Sequence, residues 1–219
     1  MKNFCLDGVI VNPPEDGVVR KAILLLHGYG GDGKDISMLS INWKRHLKNT
    51  IIICPNGHER CKINPSGYQW FDLSNDDENY ILEQSLNAEI KINEFLSEIK
   101  NEYNLLNSDI CISGFSQGCM MAINIGLTSK IPFNCIVGFS GKIINKKNLS
   151  ERIRSKSKTL LIHGSLDNVV SPNHLLDAKD FFIREKIDID TKIIDNCDHS
   201  IPLEASTSAL NFIKQNLNN

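Results

Sequence analysis

The chain has 219 residues, a length that suits one sizeable core and favours a single domain over residues 1–219. Its 24 basic and 26 acidic side chains give a net charge of −2, which offers no electrostatic basis for binding nucleic acid or an anionic membrane. The longest apolar runs, such as residues 22–26, are too short to span a bilayer, which argues against an integral membrane protein.

Seven cysteines, an odd number without a C-x-x-C pair, are typical of a reduced compartment and not of a disulfide framework. The Cys and His residues do not fall at zinc-ligand spacings, so we expect neither a metal site nor a cofactor. The first residues lack an apolar stretch long enough for a secretion signal. We therefore expect a cytoplasmic location.

The apolar pattern predicts strands that alternate with helices. Short continuous apolar runs are typical of strands buried on both faces, whereas a 3.6-residue period predicts an amphipathic helix. The predicted order is strand 6–11, strand 22–26, helix 35–47, strand 51–54, helix 77–103, strand 110–112, helix 120–127, strand 135–139, strand 159–162, helix 172–185, strand 189–194 and helix 202–217. This order predicts an α/β fold with a mostly parallel central sheet flanked by helices.

The segment from residue 58 to 75 has no regular period and carries three aromatic residues near its end. Loops of this length in compact domains are usually functional, and ligand pockets are mostly apolar with aromatic lining. We therefore predict that Tyr68, Trp70 and Phe71 form one wall of a substrate pocket. The alternative is a surface loop that Trp70 pins in a small separate core.

The residues Gly-Phe-Ser-Gln-Gly at 114–118 lie between a predicted strand and a predicted helix. A serine on such a sharp turn has strained backbone angles, and side chains at the flanking positions would collide with neighbouring elements, so both flanks need glycine. The turn would present the Ser116 hydroxyl above the sheet at a helix N-terminus, which favours developing negative charge. The alternative interpretation of Ser116 is a helix N-cap flanked by glycines.

A nucleophilic serine needs a base, most often histidine, and the histidine needs an acid that fixes its tautomer. Ser116, Asp167 and His199 each follow a predicted strand, and they occur in the chain order of α/β-hydrolases. We therefore predict Ser116 as nucleophile, His199 as base and Asp167 as acid. Asp195 is an alternative acid. His27 and His163 compete as bases, but each directly follows a buried strand and precedes glycine, so we interpret both as structural.

Acyl transfer also needs backbone donors for the oxyanion, normally the N–H after the nucleophile and one from an early glycine-rich loop. The predicted donors are the amides of Gln117 and Tyr29. The loop at residues 27–33 could instead cradle a phosphate, but its glycine spacing matches neither the P-loop nor the dinucleotide-binding pattern.

Five motifs carry a resemblance to a known family. They are Leu-His-Gly-Tyr-Gly at 26–30, Trp-Phe-Asp at 70–72, Gly-Phe-Ser-Gln-Gly at 114–118, His-Gly at 163–164 followed by Asp167, and His-Ser-Ile at 199–201. In this order they resemble the phospholipase/carboxylesterase family of α/β-hydrolases, which includes the acyl-protein thioesterases. The resemblance covers residues 22–217. It implies an α/β-hydrolase fold without a large cap domain and the same site roles, with the Tyr29 and Gln117 amides as oxyanion hole.

The chain departs from the family pattern at two positions where members often have glycine, Cys119 and Asp198. The first should affect only helix packing. The second puts a carboxylate beside the candidate base, which we expect to shift the pH optimum. The loop after Asp167 also differs from the family pattern. It reads Val-Val-Ser-Pro at 169–172, one residue more than the usual Val-Val-Pro.

The sequence thus predicts a serine hydrolase that cleaves ester or thioester bonds of short to medium acyl substrates through an acyl-enzyme. Its substrates would be small or lipid-like esters or thioesters, and an acylated protein is also compatible. No nucleic-acid partner is expected, and a homodimer is compatible with the sequence. The alternative is a non-catalytic binding module that keeps the hydrolase fold, against which the presence of all three triad candidates argues.

Overall fold

A computed structural model of the chain describes residues 4–11, 14 and 17–217. The strands are β1 (Gly8–Val11), β2 (Lys21–Leu26), β3 (Thr50–Pro55), β4 (Glu59–Arg60), β5 (Tyr68–Gln69), β6 (Ile110–Phe115), β7 (Cys135–Phe139), β8 (Lys158–Gly164) and β9 (Ile189–Ile194). The helices are α1 (Gly33–Ser37), α2 (Ser40–Trp43), α3 (Glu78–Tyr103), α4 (Gln117–Thr128), α5 (Lys146–Arg152), α6 (Asn173–Arg184) and α7 (Leu203–Leu217).

Seven strands form one sheet in the order β1-β3-β2-β6-β7-β8-β9. The edge strand β1 pairs antiparallel with β3, and every other neighbouring pair in this sheet is parallel. The mostly parallel sheet confirms the predicted fold class. Because β6 lies at the centre, the turn that follows it opens in the middle of the carboxyl edge, where parallel sheets gather their ligands.

The sheet is covered on both faces, which explains why its central strands are continuous apolar runs. Alternate residues of β2 pack into opposite cores, as Leu24 and Leu25 illustrate. The first core contains apolar side chains of α3, α4, α5 and α6, and the second contains side chains of α1, α2 and α7. Among the described residues, no helix is both long and apolar enough to cross a membrane.

The prediction of one helix over residues 35–47 was wrong, because the chain forms two short helices there. The Asp32 carboxylate caps α1 by accepting a hydrogen bond from the Asp35 amide at 2.7 Å. The amides of Met38 and Leu39 then bond to carbonyls three residues earlier, and such bonds tighten the chain out of the α-helical path. Helix α5 was not predicted at all.

The segment from 58 to 75 is more regular than its sequence suggests. Strands β4 and β5 pair antiparallel, with Glu59 opposite Gln69 and Arg60 opposite Tyr68. Two-residue strands are too short to show a period in the sequence, so this hairpin was not predicted. It fixes the direction in which the aromatic residues around Trp70 point.

Candidate active site

Ser116 lies in a sharp turn between β6 and α4, with φ 53° and ψ −115°. This positive φ is costly for a residue with a side chain, and the surrounding contacts must hold it in place. The Ser116 amide donates to the Phe139 carbonyl at 2.8 Å, and its own carbonyl accepts from Met120 at 3.1 Å. A Cβ on Gly114 would lie 2.3 Å from the Gly118 backbone, and one on Gly118 would lie 2.2 Å from the Leu26 carbonyl oxygen. Both glycines are therefore required for the chain to turn here.

The structure brings the three predicted triad residues together. His199 Nε2 lies 3.0 Å from Ser116 Oγ, and His199 Nδ1 lies 2.7 Å from Asp167 Oδ2. The Asp167 side chain is fully buried and that of His199 is 16% exposed, so the imidazole alone of this pair reaches solvent. The catalytic roles of the three residues stay a prediction, which the distances allow.

Asp167 is held as a carboxylate by its surroundings. Burial alone would raise its pKa, but hydrogen bonds from the His199 side chain and the amides of Val170 and Val169 outweigh this and lower the pKa of Asp167. The two amides bond to Oδ1 at 2.8 and 3.0 Å. Because an ionised carboxylate only accepts hydrogen bonds, Nδ1 of His199 must carry the proton. A neutral imidazole then has a lone pair on Nε2 facing the serine hydroxyl.

The two competing histidines contact groups other than the Ser116 hydroxyl. His27 Nε2 accepts from the Gly57 amide at 2.8 Å, and Nδ1 lies 2.7 Å from the Gly28 carbonyl. Burial lowers the pKa of His27, so it remains a neutral link between loops. His163 Nε2 lies 2.8 Å from the Val170 carbonyl and 3.2 Å from Asp167 Oδ2, the same oxygen that His199 Nδ1 contacts. Its contact with the acid was not anticipated from the sequence.

The two predicted oxyanion donors flank the serine. Gln117 is the first residue of α4, where an amide has no carbonyl partner within the helix. The early loop packs directly on the turn, since a Cβ on Gly28 would lie 3.4 Å from Ser116 Cβ. Tyr29 follows Gly28 and lines the same cavity as Ser116 and Gln117. The role of both amides stays a prediction.

A cavity of about 470 Å³ opens at Ser116, and we call it the serine cavity. Its walls are largely apolar, and they include the side chains of Phe71, Leu73, Ile81, Met120, Ile144 and Val170. These residues come from five separate segments, and of them Phe71 was predicted as part of the pocket. Of the others, Met120 had a local signal, since it lies one helical turn after Ser116.

Of the predicted aromatic wall, Phe71 lines the serine cavity, whereas Tyr68 and Trp70 are not among its described lining residues. Trp70 is fully buried, and its Nε1 donates to the His27 carbonyl at 2.9 Å. The Tyr68 ring lies under the guanidinium of Arg60, 4.2 Å from its centre. The β4–β5 hairpin thus turns these two rings away from the position that the sequence suggested.

The two departures from the family pattern have visible surroundings. A Cβ on Gly138 or Gly141 would lie 2.4 or 2.5 Å from Cys119 Sγ, so these glycines make room for the larger residue on α4. Asp198 is exposed, and its Oδ1 accepts from Ser200 Oγ at 2.6 Å. The expected influence of Asp198 on the pH optimum stays a prediction. Within the described residues, no cluster of three or more His, Cys, Asp or Glu side chains could hold a metal ion.

A strained serine between a parallel strand and a helix, with a histidine and a carboxylate from later loops, defines the α/β-hydrolase class. The chain belongs to the phospholipase/carboxylesterase family, whose model matches residues 7–217. This confirms the resemblance inferred from the motifs. The chain is therefore an enzyme of the esterase class.

Sequence relatives and solved structures agree with this assignment. Acyl-protein thioesterase 1 of Yarrowia lipolytica is 26% identical, covering 94% of this chain and 96% of the relative. Esterase YpfH of Escherichia coli is 23% identical, covering 95% of this chain and 88% of the relative. The crystal structure of esterase PE8 is similar with a TM-score of 0.92 at 34% identity, covering 97% of this chain and 99% of the other.

Proposed function

We propose that this enzyme is a serine hydrolase that cleaves carboxylic ester or thioester bonds of short to medium acyl substrates. The observation that carries the proposal is the continuous line of contacts from Asp167 through His199 to Ser116, with distances of 2.7 and 3.0 Å. These distances fall within the reach expected of a nucleophile and its base.

In the proposed reaction, Ser116 Oγ attacks the acyl carbonyl while His199 Nε2 takes its proton. The amides of Tyr29 and Gln117 would then stabilise the oxyanion of the tetrahedral intermediate. The same imidazole returns the proton to the leaving oxygen or sulfur, and the carbon–oxygen or carbon–sulfur bond breaks. Water, activated by His199, finally attacks the acyl-enzyme and releases the acid. Asp167 keeps Nδ1 protonated throughout and stabilises the imidazolium.

The serine cavity is the proposed acyl site, because the acyl carbon becomes bonded to Ser116 on its floor. A volume of about 470 Å³ with largely apolar walls suits a short to medium acyl chain. The relative from Yarrowia lipolytica is named for action on acylated proteins, which makes an acylated protein a candidate substrate beside small or lipid-like esters. We further propose one catalytic domain over residues 1–219, a cytoplasmic location and compatibility with a homodimer.

The test is labelling with a fluorophosphonate probe, followed by mass spectrometry of the adduct and hydrolysis of p-nitrophenyl butyrate. We expect an adduct on Ser116 and none in Ser116→Ala. Ser113→Ala is a matched control, because the Ser113 hydroxyl is buried three residues earlier and has no hydrogen-bond partner among the described residues. Absence of both adduct and hydrolysis in the folded protein would favour the non-catalytic binding module.

A further inference from the structure

A second cavity, of about 590 Å³, lies on the other side of the candidate base, and we call it the α1 cavity. One wall comes from α1 and the residues after it, and the other from the chain that follows His199. Its apolar lining consists of Ile36, Met38, Leu39, Phe115, Ile201 and Leu203. The α1 cavity and the serine cavity share Gly28, Tyr29, Phe115 and His199. Two spaces of similar size therefore meet at one reacting centre.

An ester or thioester has two arms, the acyl group and the alcohol or thiol group that leaves. The chemistry of the reaction assigns one arm to each cavity. The acyl carbon bonds to Ser116 Oγ, and Ser116 and Gln117 line the serine cavity but are not among the described lining of the α1 cavity. The leaving oxygen or sulfur must instead receive the proton from His199 Nε2 as its bond to carbon breaks, so it lies beside the imidazole. The leaving arm then points into the space beyond His199.

We propose that the α1 cavity is the leaving-group subsite and that it selects esters and thioesters with an apolar, uncharged alcohol or thiol arm. This inference rests on the proposed function. Met38 and Leu203 are 62% and 67% exposed, so a bound arm would remove apolar surface from water. Asp35 is the carboxylate of the described lining, which contains no lysine or arginine. A negatively charged arm is therefore disfavoured next to the scissile bond.

The experiment compares ethyl and hexyl butyrate, which form the same acyl-enzyme and release alcohols of nearly equal basicity. In the unmodified enzyme we expect kcat/KM for the hexyl ester to exceed that for the ethyl ester by about tenfold, through burial of the extra methylenes. Leu203→Ser and Met38→Ser should each reduce this ratio severalfold. Leu106→Ser is the matched control, because Leu106 is 69% exposed and lies before the amino end of β6, away from the site. It should leave the ratio unchanged.

A second pair, ethyl acetate and ethyl hexanoate, varies the acyl arm and keeps the alcohol constant. Leu203→Ser and Met38→Ser should leave this acyl preference as it is. The proposal is overturned if these variants change the acyl preference, or if the hexyl-to-ethyl ratio is the same in all four proteins. Absence of turnover on every ester, with no probe adduct on Ser116, would instead overturn the proposed function itself.

Discussion

Gln117 Oε1 accepts a hydrogen bond from the backbone amide of Trp70 at 2.8 Å, and on the same side chain Nε2 donates to the Phe71 carbonyl at 2.6 Å. The residue that offers a candidate oxyanion amide thus also fixes the backbone of the loop that forms one wall of the serine cavity. Gln117 is fully buried, so no water replaces these bonds easily. The Gln117 side chain consequently connects the turn at Ser116 to this wall of the serine cavity.

Gln117→Ala should leave the Trp70 amide and the Phe71 carbonyl without partners in a buried place. The expected loss is about 2–6 kcal/mol of unfolding free energy, since each of the two unsatisfied groups costs about 1–3 kcal/mol. Thermal unfolding followed by circular dichroism measures it, and kcat/KM across acyl-chain lengths should lose its selectivity. Gln84→Ala, on a half-buried position of α3, is the control and should change neither quantity. Equal melting temperatures for the two variants would contradict the coupling.

Asp167→Asn should reduce kcat by about 10³–10⁴-fold while the fold persists, because a carboxamide no longer fixes the protonated Nδ1 of His199. Steady-state hydrolysis of p-nitrophenyl butyrate measures this. The sequence left Asp195 as an alternative acid, and this residue is exposed. Asp195→Asn is therefore the matched control, with an expected change below about twofold. The assignment fails if Asp195→Asn loses activity and Asp167→Asn retains it.

The contact between Ser116, His199 and Asp167 could be predicted because each residue follows a strand, and strand ends are marked locally by apolar runs that stop at glycine or polar residues. Ser116 also has a steric signature in its flanking glycines. The cavity wall had no such signature. The directions of Tyr68 and Trp70 depend on a hairpin of two-residue strands, and the remaining wall comes from side chains that are distant in sequence.

The break between α1 and α2 shows a different limit of the sequence. Residues 35–47 have a helical apolar pattern, and Ile36, Trp43 and Leu47 do pack in one core. The pattern therefore predicted correctly which residues are buried. It did not predict the backbone hydrogen bonds, which after Asp35 join residues three apart and not four apart. Local propensity differs little between these two paths, so tertiary packing decides between them.

The Asp72 side chain connects Lys62, Ser74 and Tyr80 through hydrogen bonds. Its contribution to the free energy of unfolding should depend on pH. The buried carboxylate accepts hydrogen bonds from the Ser74 amide and hydroxyl at 2.9 and 2.7 Å, from Tyr80 Oη at 2.8 Å, and from Lys62 Nζ. Burial alone would raise the pKa of Asp72, but these hydrogen bonds, first that of Lys62, hold it well below the ordinary value. The carboxylate therefore stabilises the fold fully above the unfolded pKa of about 3.9. This stabilisation is lost as the pH falls through the lower folded pKa.

Asp72→Asn should accordingly melt at a lower temperature than the unmodified protein at pH 7, and the difference should shrink below about pH 4. Differential scanning calorimetry between pH 3 and pH 7 measures it. Asp180→Asn is the control, since Asp180 is exposed on α6 and should show no difference at either end of the range. If the melting temperatures of Asp72→Asn and the unmodified protein differ by the same amount from pH 3 to pH 7, the carboxylate charge is not the cause of the lost stability.

Arg152→Ala should destabilise the protein by about 3 kcal/mol, because it leaves the buried Glu89 carboxylate without its cationic partner. Glu89 on α3 is 5% exposed and bonds to the Arg152 guanidinium on α5 and to Asn124 Nδ2 on α4 at 3.0 Å. For a chain of this size the loss corresponds to a melting temperature lower by about 6–12 °C. Arg184→Ala is the control, because Arg184 is 65% exposed beside Glu185 and such pairs contribute at most about 1 kcal/mol. Adding Glu89→Gln to Arg152→Ala should recover part of the loss, and no recovery would show that packing, not the unpaired charge, is responsible.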